Sequence, residues 1–468
     1  MKGFFKDISV YGILPVIGKF AGFFLIPIYT RVFSSYEFGI VELLVTLASF
    51  LMFACNLEFY SAIGRFFYER DTLFNKRMLI STGLFLTLFF TVIVILLFLS
   101  LENIIIFKYL DAGDYQFEYK LALVWVFFSA IYTYLGILPR YDKKPKLYVL
   151  ITGSSLLVRI GSTILYVLVF NAGIAGVIYG HITGSFLSTV LNAIVSGKYL
   201  RFMFSWEEAK EIMKFAFPLV PGLLLIGLWH PLSRSFISKF YSVETVGLLS
   251  FAVRITSVMA ILNSAIQLAW KPLLFENLHK DSFKNDVVSI SRIVVFATLY
   301  TSVILSLFSP EICLYIGTKE YYDSAVLIGF LSLTSSIEIL TGIRGFGPLV
   351  TKKTYQLSMF DLIRVMFGLG ILFLIKDKFG LFGIGLAFTL PAFIKYILLV
   401  SITSKKLDIK FHNKTEILLT MILALCIIAI FLSPRLLIRF TAFIVISLLF
   451  LTLFLKTDKL RLIKNLWN

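Results

Sequence analysis

Long apolar stretches alternate with short polar segments along the whole chain. A helix needs about 20 apolar residues to cross the hydrocarbon core of a bilayer. Backbone groups in lipid must find their hydrogen-bond partners within the segment, so the stretches predict helices. We therefore expect an all-α polytopic membrane protein with about 14 transmembrane helices, at 8–30, 38–60, 78–100, 121–138, 147–170, 173–196, 212–237, 245–270, 288–308, 324–342, 357–375, 379–402, 415–432 and 436–455.

The distribution of basic residues predicts the orientation. Of the 44 Lys and Arg residues, 28 lie at the termini and in every second loop, 8 lie in the other loops, and 8 lie inside the apolar stretches. Cytoplasmic loops collect Lys and Arg, so both termini are expected in the cytoplasm. The even number of crossings agrees with this. The net charge of +17 is explained by topology, and we expect no nucleic-acid partner.

The composition excludes several other classes. Hydrophobic residues make up 59% of the chain, and no polar segment is long enough to form a soluble domain. The three cysteines are far apart and form no CxxC pair, so neither a zinc site nor a disulfide framework is expected. No phosphate-binding loop of the Walker type is present. We expect no metal, no cofactor and no catalytic residues.

An internal repeat divides the chain. The segment 30–40 aligns without a gap with 238–248, which places Gly39 over Gly247, and Gly173–Val177 matches Gly380–Ile384, which places Gly176 over Gly383. Six crossings return the chain to the same side, so the repeats are parallel and related by an axis along the membrane normal. The sequence predicts a six-helix lobe at 1–200, a second at 201–404, and helices 13 and 14 with a cytoplasmic tail at 405–468.

Several short segments also resemble a known family. Pro27–Arg31, Glu37–Gly39 and Ala62–Glu69 look like the N-terminal signature of bacterial oligosaccharide flippases. Phe217–Pro221, Val246–Gly247 and Trp270–Pro272 resemble the matching stretch of the second lobe. These proteins carry O-antigen or capsule repeat units and belong to the multidrug/oligosaccharidyl-lipid/polysaccharide exporter superfamily. The chain departs from the pattern at Leu249 and at Ser233, where many relatives have an acidic residue before Arg234.

The resemblance implies two lobes around a cavity that opens alternately to each side of the bacterial cytoplasmic membrane. It implies a substrate of undecaprenyl-pyrophosphate carrying an oligosaccharide, for the biosynthesis of lipopolysaccharide or another surface polysaccharide. It also suggests a polysaccharide polymerase and a chain-length regulator as partners. Relatives often have an arginine at the position of Arg254.

Basic residues deep in the stretches are candidates for binding such an anion. Lys19, Arg159 and Arg254 lie too far from the ends of their stretches to reach water easily, and Arg234 lies near an end. Fixed cations that line a wet cavity would hold a pyrophosphate through charge-assisted hydrogen bonds. The alternative is an ion pair between helices. Arg292, Lys395 and Arg439 lie near the ends of their stretches, so we expect them to extend to the interface.

Acidic residues and prolines supply further candidates. Glu42 and Asp361 are weak candidates for coupling transport to a proton or sodium gradient. Asp361 and Arg364 are three apart on one helix face, so a local ion pair is also expected. Prolines kink helices, and four of them are candidate hinges at matching places in the two lobes: Pro15, Pro27, Pro218 and Pro221.

Three alternatives to a flippase remain at this point. An ion-coupled exporter of small molecules or drugs would belong to the same superfamily, but a cavity for cationic drugs should be rich in carboxylates. A membrane enzyme acting on lipid-linked sugar would need a larger external loop than this chain has. A scaffold for other envelope enzymes is not excluded. The sequence favours the flippase and not an enzyme.

Overall fold

A computed structural model describes residues 25–107, 114–142, 144–278, 283–351, 353, 355–375 and 379–411, together with 439, 444 and 447. The expected spans at 415–432 and 436–455, and most of the one at 8–30, lie outside these residues. The described residues are helical apart from short connections. The chain divides into two compact units, Met1–Gly247 and Leu248–Asn468. This division follows spatial contacts, so the repeat boundaries at 200/201 and 404/405 stay a prediction.

The first unit contains nine complete labelled helices and the start of a tenth, which continues into the second unit. They are α1 (Ile26–Val32), α2 (Ser35–Asn56), α3 (Phe59–Phe66), α4 (Leu73–Ser100), α5 (Gln116–Leu135), α6 (Pro145–Ile164), α7 (Gly173–Val195), α8 (Trp206–Ala216), α9 (Val220–Phe240) and the start of α10 (Val243–Asn277). Single turns occupy Glu102–Ile105, Leu138–Tyr141 and Phe217–Leu219, and a π-helical turn occupies Leu165–Val169.

The second unit continues α10 and adds five labelled helices. They are α11 (Phe283–Leu307), α12 (Ser309–Ile316), α13 (Ser324–Arg344), α14 (Tyr355–Ile375) and α15 (Gly380–Leu407). Short turns occupy Lys319–Tyr321 and Gly347–Val350. Within the described part of the chain, ten helices are long and apolar enough to cross a membrane. The expected all-helical polytopic fold is therefore confirmed.

Local sequence signals explain where the helices begin. Ser34 and Glu37 form a reciprocal capping box at the start of α2: the Glu37 amide donates to Ser34 Oγ at 3.2 Å, and the Ser34 amide donates to the Glu37 carboxylate at 2.9 Å. Ser205 caps α8 in a similar way, accepting from the Glu208 amide at 3.4 Å. Such caps satisfy amides that have no partner within the helix.

Burial separates central helices from lipid-facing ones. About two thirds of the apolar segment of α2 (67%) and 72% of that of α13 are buried, against 28% for α4 and 17% for α14. Hydroxyl groups bridge the buried faces: Ser129 to Ser185 at 3.0 Å in the first unit, and Thr334 to Thr389 at 2.9 Å in the second. Such bonds hold helices together in lipid, where apolar burial between helices supplies little driving force.

Glycines allow the closest helix contacts. A Cβ on Gly39 would lie 2.2 Å from the carbonyl oxygen of Val243, and a Cβ on Gly247 would lie 1.9 Å from that of Ser35. The two contacts are reciprocal: residue 35 corresponds to 243, and 39 corresponds to 247, under the shift of the internal repeat. A reciprocal contact of this kind is what a two-fold relation between equivalent segments produces.

The second repeat motif shows an equivalence of its own. Gly173 and Gly380 each begin a helix and have positive φ angles of 55° and 49°. Farther along α7, a Cβ on Gly180 or Gly184 would collide with Thr163 or Arg159 of α6. These glycines therefore let α7 pack closely against α6.

Candidate functional site

Two residues that the sequence analysis considered separately form an ion pair in the structure. A Glu42 carboxylate oxygen on α2 lies 3.6 Å from a guanidinium nitrogen of Arg234 on α9, and both side chains are less than 9% exposed. Arg234 has no acidic neighbour in sequence because position 233 is a serine. Its partner comes from another helix, so each of these two predicted site residues offsets the charge of the other.

His230 completes this cluster. Its Nδ1 lies 3.5 Å from the Arg234 guanidinium, one helical turn earlier on α9. The Ser233 hydroxyl donates back to the His230 carbonyl at 3.1 Å. Pro231 lies between them inside the helix and lacks an amide proton to donate. We call Glu42, His230 and Arg234 the α2–α9 charge cluster.

Arg159 and Arg254 have a different setting. Both are partly exposed side chains of long apolar helices. Arg254 lies 11 residues after the start of α10, or about 17 Å along its axis. Arg159 lies 14 residues after the start of α6, or about 21 Å along its axis. Arg159 lies five residues before the end of α6, but the π-helical turn continues the apolar span to Val169. Each side chain therefore lies at least ten residues from either end of its apolar span. Lys19, the fourth predicted binding residue, lies outside the described residues.

Two ion pairs line a cavity in the second unit. Glu338 of α13 pairs with Arg364 of α14, and Asp361 of α14 pairs with Lys395 of α15. These four side chains and Gln267 surround part of a cavity of about 360 Å³. The expected local pair between Asp361 and Arg364 is wrong, since each binds a residue of a different helix.

Asp361 and Glu42 therefore share one property. Both were candidates for binding a coupling cation, and both already contact a basic side chain. The expectation that Lys395 and Arg439 extend to the interface stays a prediction, and each of them contacts an acidic residue. Lys395 binds Asp361, and Arg439 makes a bidentate contact with Glu311 at 2.7 and 3.0 Å.

Sequence reasoning missed one buried cation. Arg344 ends α13 and is 2% exposed, although the charge count placed it in a loop. It donates to the Tyr396 hydroxyl at 3.0 Å and to Ser291 Oγ at 3.2 Å, and it stacks on Phe411. Its position two residues beyond an apolar stretch was the available signal. These contacts hold the end of α13 against its neighbours.

Ion pairs and hydrogen bonds also connect the loops that the distribution of basic residues predicts to be cytoplasmic. Arg70 donates to both carboxylate oxygens of Glu208 at 3.0 and 3.1 Å. Asp142 accepts from Lys198 at 2.6 Å and from the Tyr199 hydroxyl. Burial by itself raises the pKa of Asp142, but the hydrogen bonds from Lys198 and Tyr199 outweigh it and lower the pKa below its ordinary value of 3.8.

The predicted hinge prolines lie at helix starts and breaks. Pro218 lies in the 3-10 turn Phe217–Leu219, and Pro221 in the first turn of α9. Together they separate α8 from α9 inside the stretch that was expected to be one helix at 212–237. Pro27 lies in the first turn of α1, and Pro15 is outside the described residues. Their role as hinges stays a prediction.

No group of three or more His, Cys, Asp or Glu side chains that could hold a metal ion occurs among the described residues.

Comparison with known proteins identifies a matching family and several solved structures with a similar fold. Residues 4–278 match the family described as polysaccharide biosynthesis protein. None of the curated proteins compared with the chain matches it.

Among solved structures, the lipid II flippase MurJ in an inward closed conformation has a TM-score of 0.69 at 14% identity, covering 96% of this chain and 99% of that one. A multidrug resistance MATE family transporter of the MOP superfamily, in an inward-facing conformation, has a TM-score of 0.65 at 15% identity, covering 83% and 96%. A MATE protein in complex with MaL6 has a TM-score of 0.58 at 13% identity, covering 86% and 96%. At these identities the likeness concerns the fold alone. The predicted resemblance in sequence is confirmed at the level of the polysaccharide biosynthesis family.

Proposed function

Because the chain belongs to the polysaccharide biosynthesis protein family, we propose that it is a flippase for lipid-linked oligosaccharides. It would carry undecaprenyl-pyrophosphate-linked units from the cytoplasmic to the outer leaflet of the bacterial cytoplasmic membrane, by alternating access. Both termini would face the cytoplasm. A polysaccharide polymerase and a chain-length regulator would act on the product.

The depth of Arg159 and Arg254 is the observation that carries this proposal. A basic residue at the centre of a membrane helix costs about 2.5–3.5 kcal/mol on insertion scales. Both residues lie at least ten residues from the ends of their apolar spans, too far to avoid this cost by extending to the interface. A cation at such depth is typical of a site that stabilises an anion on its way through the apolar layer. The pyrophosphate is that anion.

Alternating access would use a helix break and close helix contacts. The prolines between α8 and α9 supply a break in the helix, and the reciprocal glycine contacts let equivalent segments approach closely. A proton or sodium gradient is the energy source that we propose. Glu42 or Asp361 would bind such a cation only after separating from Arg234 or Lys395, so coupling would require these ion pairs to open.

Substitution of Arg254 tests the proposal in a strain that lacks its own flippase. Arg254→Ala should abolish surface polysaccharide while the protein still inserts and folds. Arg254→Lys should retain part of the activity, because lysine keeps the charge but loses the bidentate fork. Lys19→Ala should have a milder effect if the two residues share the head group. Arg65→Ala is the matched control, since Arg65 is exposed and pairs with the exposed Glu69 four residues later.

Protein level and thermal stability decide between transport and folding. Normal polysaccharide from Arg254→Ala at a normal protein level contradicts the assignment. Loss of polysaccharide only in proportion to lost protein would make Arg254 a structural residue.

Drug export is the second candidate function, because two of the similar folds belong to MATE proteins. The pairing of Glu42 and Asp361 with basic side chains counts against a cavity for cationic drugs. Expression of the chain in a drug-sensitive strain separates the two: a flippase restores polysaccharide and leaves drug susceptibility unchanged.

A further inference from the structure

The break between α2 and α3 is strained. Leu57 and Glu58 join the two helices with φ angles of 42° and 60°. This left-handed conformation costs a residue with a Cβ about 1–2 kcal/mol. Two such residues in succession persist only where the surroundings hold them, and such strain is common at functional sites.

This break opens a cavity in the first unit. The cavity has a volume of about 280 Å³ and lies among α2, the start of α3, α5 and the start of α9. Its polar lining comes from Ser49, Asn56, Glu58 and Thr133, and its aromatic lining from Phe53 and Tyr60. None of these residues belongs to the α2–α9 charge cluster or to the deep arginines.

Asn56 is a buried polar residue of the cavity, and one of its side-chain atoms lacks a hydrogen-bond partner within the described part of the chain. It is 5% exposed, and its Nδ2 donates to the Met52 carbonyl at 2.9 Å. Its Oδ1 has no hydrogen-bond partner among the described residues. A buried acceptor without a partner costs about 1–3 kcal/mol, so a ligand that donates a hydrogen bond would relieve this cost.

The other polar groups of the cavity are also acceptors. The Glu58 carboxylate accepts from the Tyr60 hydroxyl at 2.5 Å and from the Ser61 hydroxyl, and each of its oxygens has a further lone pair. The Ser49 hydroxyl donates to the Val45 carbonyl at 2.7 Å and can still accept. Because the polar groups that these residues present are acceptors, they fit a ligand that carries hydrogen-bond donors.

We propose that this cavity binds a sugar ring of the lipid-linked substrate through its hydroxyl groups. This inference rests on the proposed flippase function and adds where the carbohydrate is recognised. Sugar hydroxyls would donate to Asn56 Oδ1 and Glu58. The Phe53 ring, which is 48% exposed, would pack against an apolar face of the sugar. A bare cation fits less well, because its ligands must surround it at about 2.3–2.6 Å, whereas this cavity is larger and mostly apolar.

Saturation-transfer NMR on the purified full-length protein in nanodiscs tests the inference. The probes are N-acetylglucosamine, galactose, mannose and rhamnose. At least one should receive saturation from the wild type. Asn56→Leu should reduce the affinity for that sugar about fivefold, the value of one hydrogen bond, and Asn56→Asp should retain most of it because an acceptor remains. Phe53→Ala should also weaken binding.

Phe186→Ala is the matched control, because Phe186 is 51% exposed and lies outside the cavity. It should leave the transfer unchanged. The Tm of every variant is compared with that of the wild type, so that a folding defect is not mistaken for lost sugar binding. No transfer to any of the four sugars, or equal transfer in Asn56→Leu and the wild type, overturns the inference. Stabilisation by sodium that Glu58→Gln abolishes, with no sugar effect, would make the cavity a cation site and also overturn it.

The same variants separate this inference from the flippase proposal. Normal polysaccharide from Asn56→Leu beside none from Arg254→Ala overturns the sugar site and leaves the flippase intact. Sugar binding that depends on Asn56, in a chain that never restores polysaccharide to a flippase-null strain, overturns the flippase proposal and leaves the site.

Discussion

Removing one partner of the Glu42–Arg234 pair should destabilise the first unit strongly. At 3.6 Å and an effective dielectric constant of about 20, two unit charges attract by about 4–5 kcal/mol. Glu42→Gln keeps the shape of its side chain and Arg234→Gln shortens it, but each removes one charge of the buried pair and leaves the other. Such losses cost about 3–5 kcal/mol. For a unit of 247 residues, this corresponds to a fall in Tm of about 6–20 °C.

The double variant is the decisive measurement. With both charges removed, no unpaired charge remains, so Glu42→Gln/Arg234→Gln should be more stable than the two single losses added together. We expect a coupling energy of about 2 kcal/mol. Glu244→Gln is the control, because that carboxylate is exposed at the start of α10 and should cost less than about 1 kcal/mol.

The buried thiol of Cys55 provides an assay for the unfolding of the first unit. Cys55 lies in α2 and is fully buried, as is Cys313 in the second unit. In a background of Cys313→Ala and Cys426→Ala, labelling by a thiol-reactive dye during a temperature ramp reports when Cys55 becomes accessible. Additive losses in the double variant, or single losses below about 2 °C, would refute the view that the pair is a coupled buried unit.

Three further predictions concern other parts of the chain. Gly247→Ala should lower Tm in the same assay and reduce transport, because its Cβ would meet a carbonyl at 1.9 Å, whereas Gly370→Ala meets nothing within 4 Å and should do neither. Asp142→Asn should lower Tm at pH 7, because the hydrogen-bonded carboxylate, with its lowered pKa, stabilises the fold above about pH 3.8. This contribution is lost as pH falls through the pKa of the folded state, so the variant should match the wild type at acidic pH. A Tm difference that is the same at pH 3 as at pH 7 would refute this. A cysteine at Lys144 should resist an impermeant reagent added outside intact cells, and labelling there would reverse the proposed orientation.

The helices could be predicted from sequence because the bilayer imposes a length and a polarity on each of them. The stretch expected at 173–196 is α7, Gly173–Val195, and that at 324–342 is α13, Ser324–Arg344. The prediction failed where a segment is amphipathic. Helix α8 buries only Ala209, Ile212 and Ala216 on one face, so its end was merged with α9 into one apolar stretch.

Partners across helices could not be predicted in the same way. Asp361 and Arg364 are neighbours on one helix, and spacing alone suggests that they bind each other. Which residue each one meets depends on the rotation and depth of α13 and α15, and a single sequence gives neither. The same reason explains why Glu42 and Arg234 were considered separately, although both were identified as site residues.

The location of the Glu42–Arg234 pair narrows the search for the residues that carry charge during transport. Glu42 follows Gly39 by three residues on α2, so the pair lies within one turn of the close contact between Gly39 and the Val243 carbonyl. Two neutralised side chains less than 9% exposed at such a contact have little freedom to follow a moving anion. Arg159 and Arg254 are partly exposed and lie deep in their helices. Partial exposure would let their guanidinium groups face the proposed pyrophosphate, whereas Arg234 is buried beside Glu42. For that reason Arg254 and not Arg234 is the first residue to substitute.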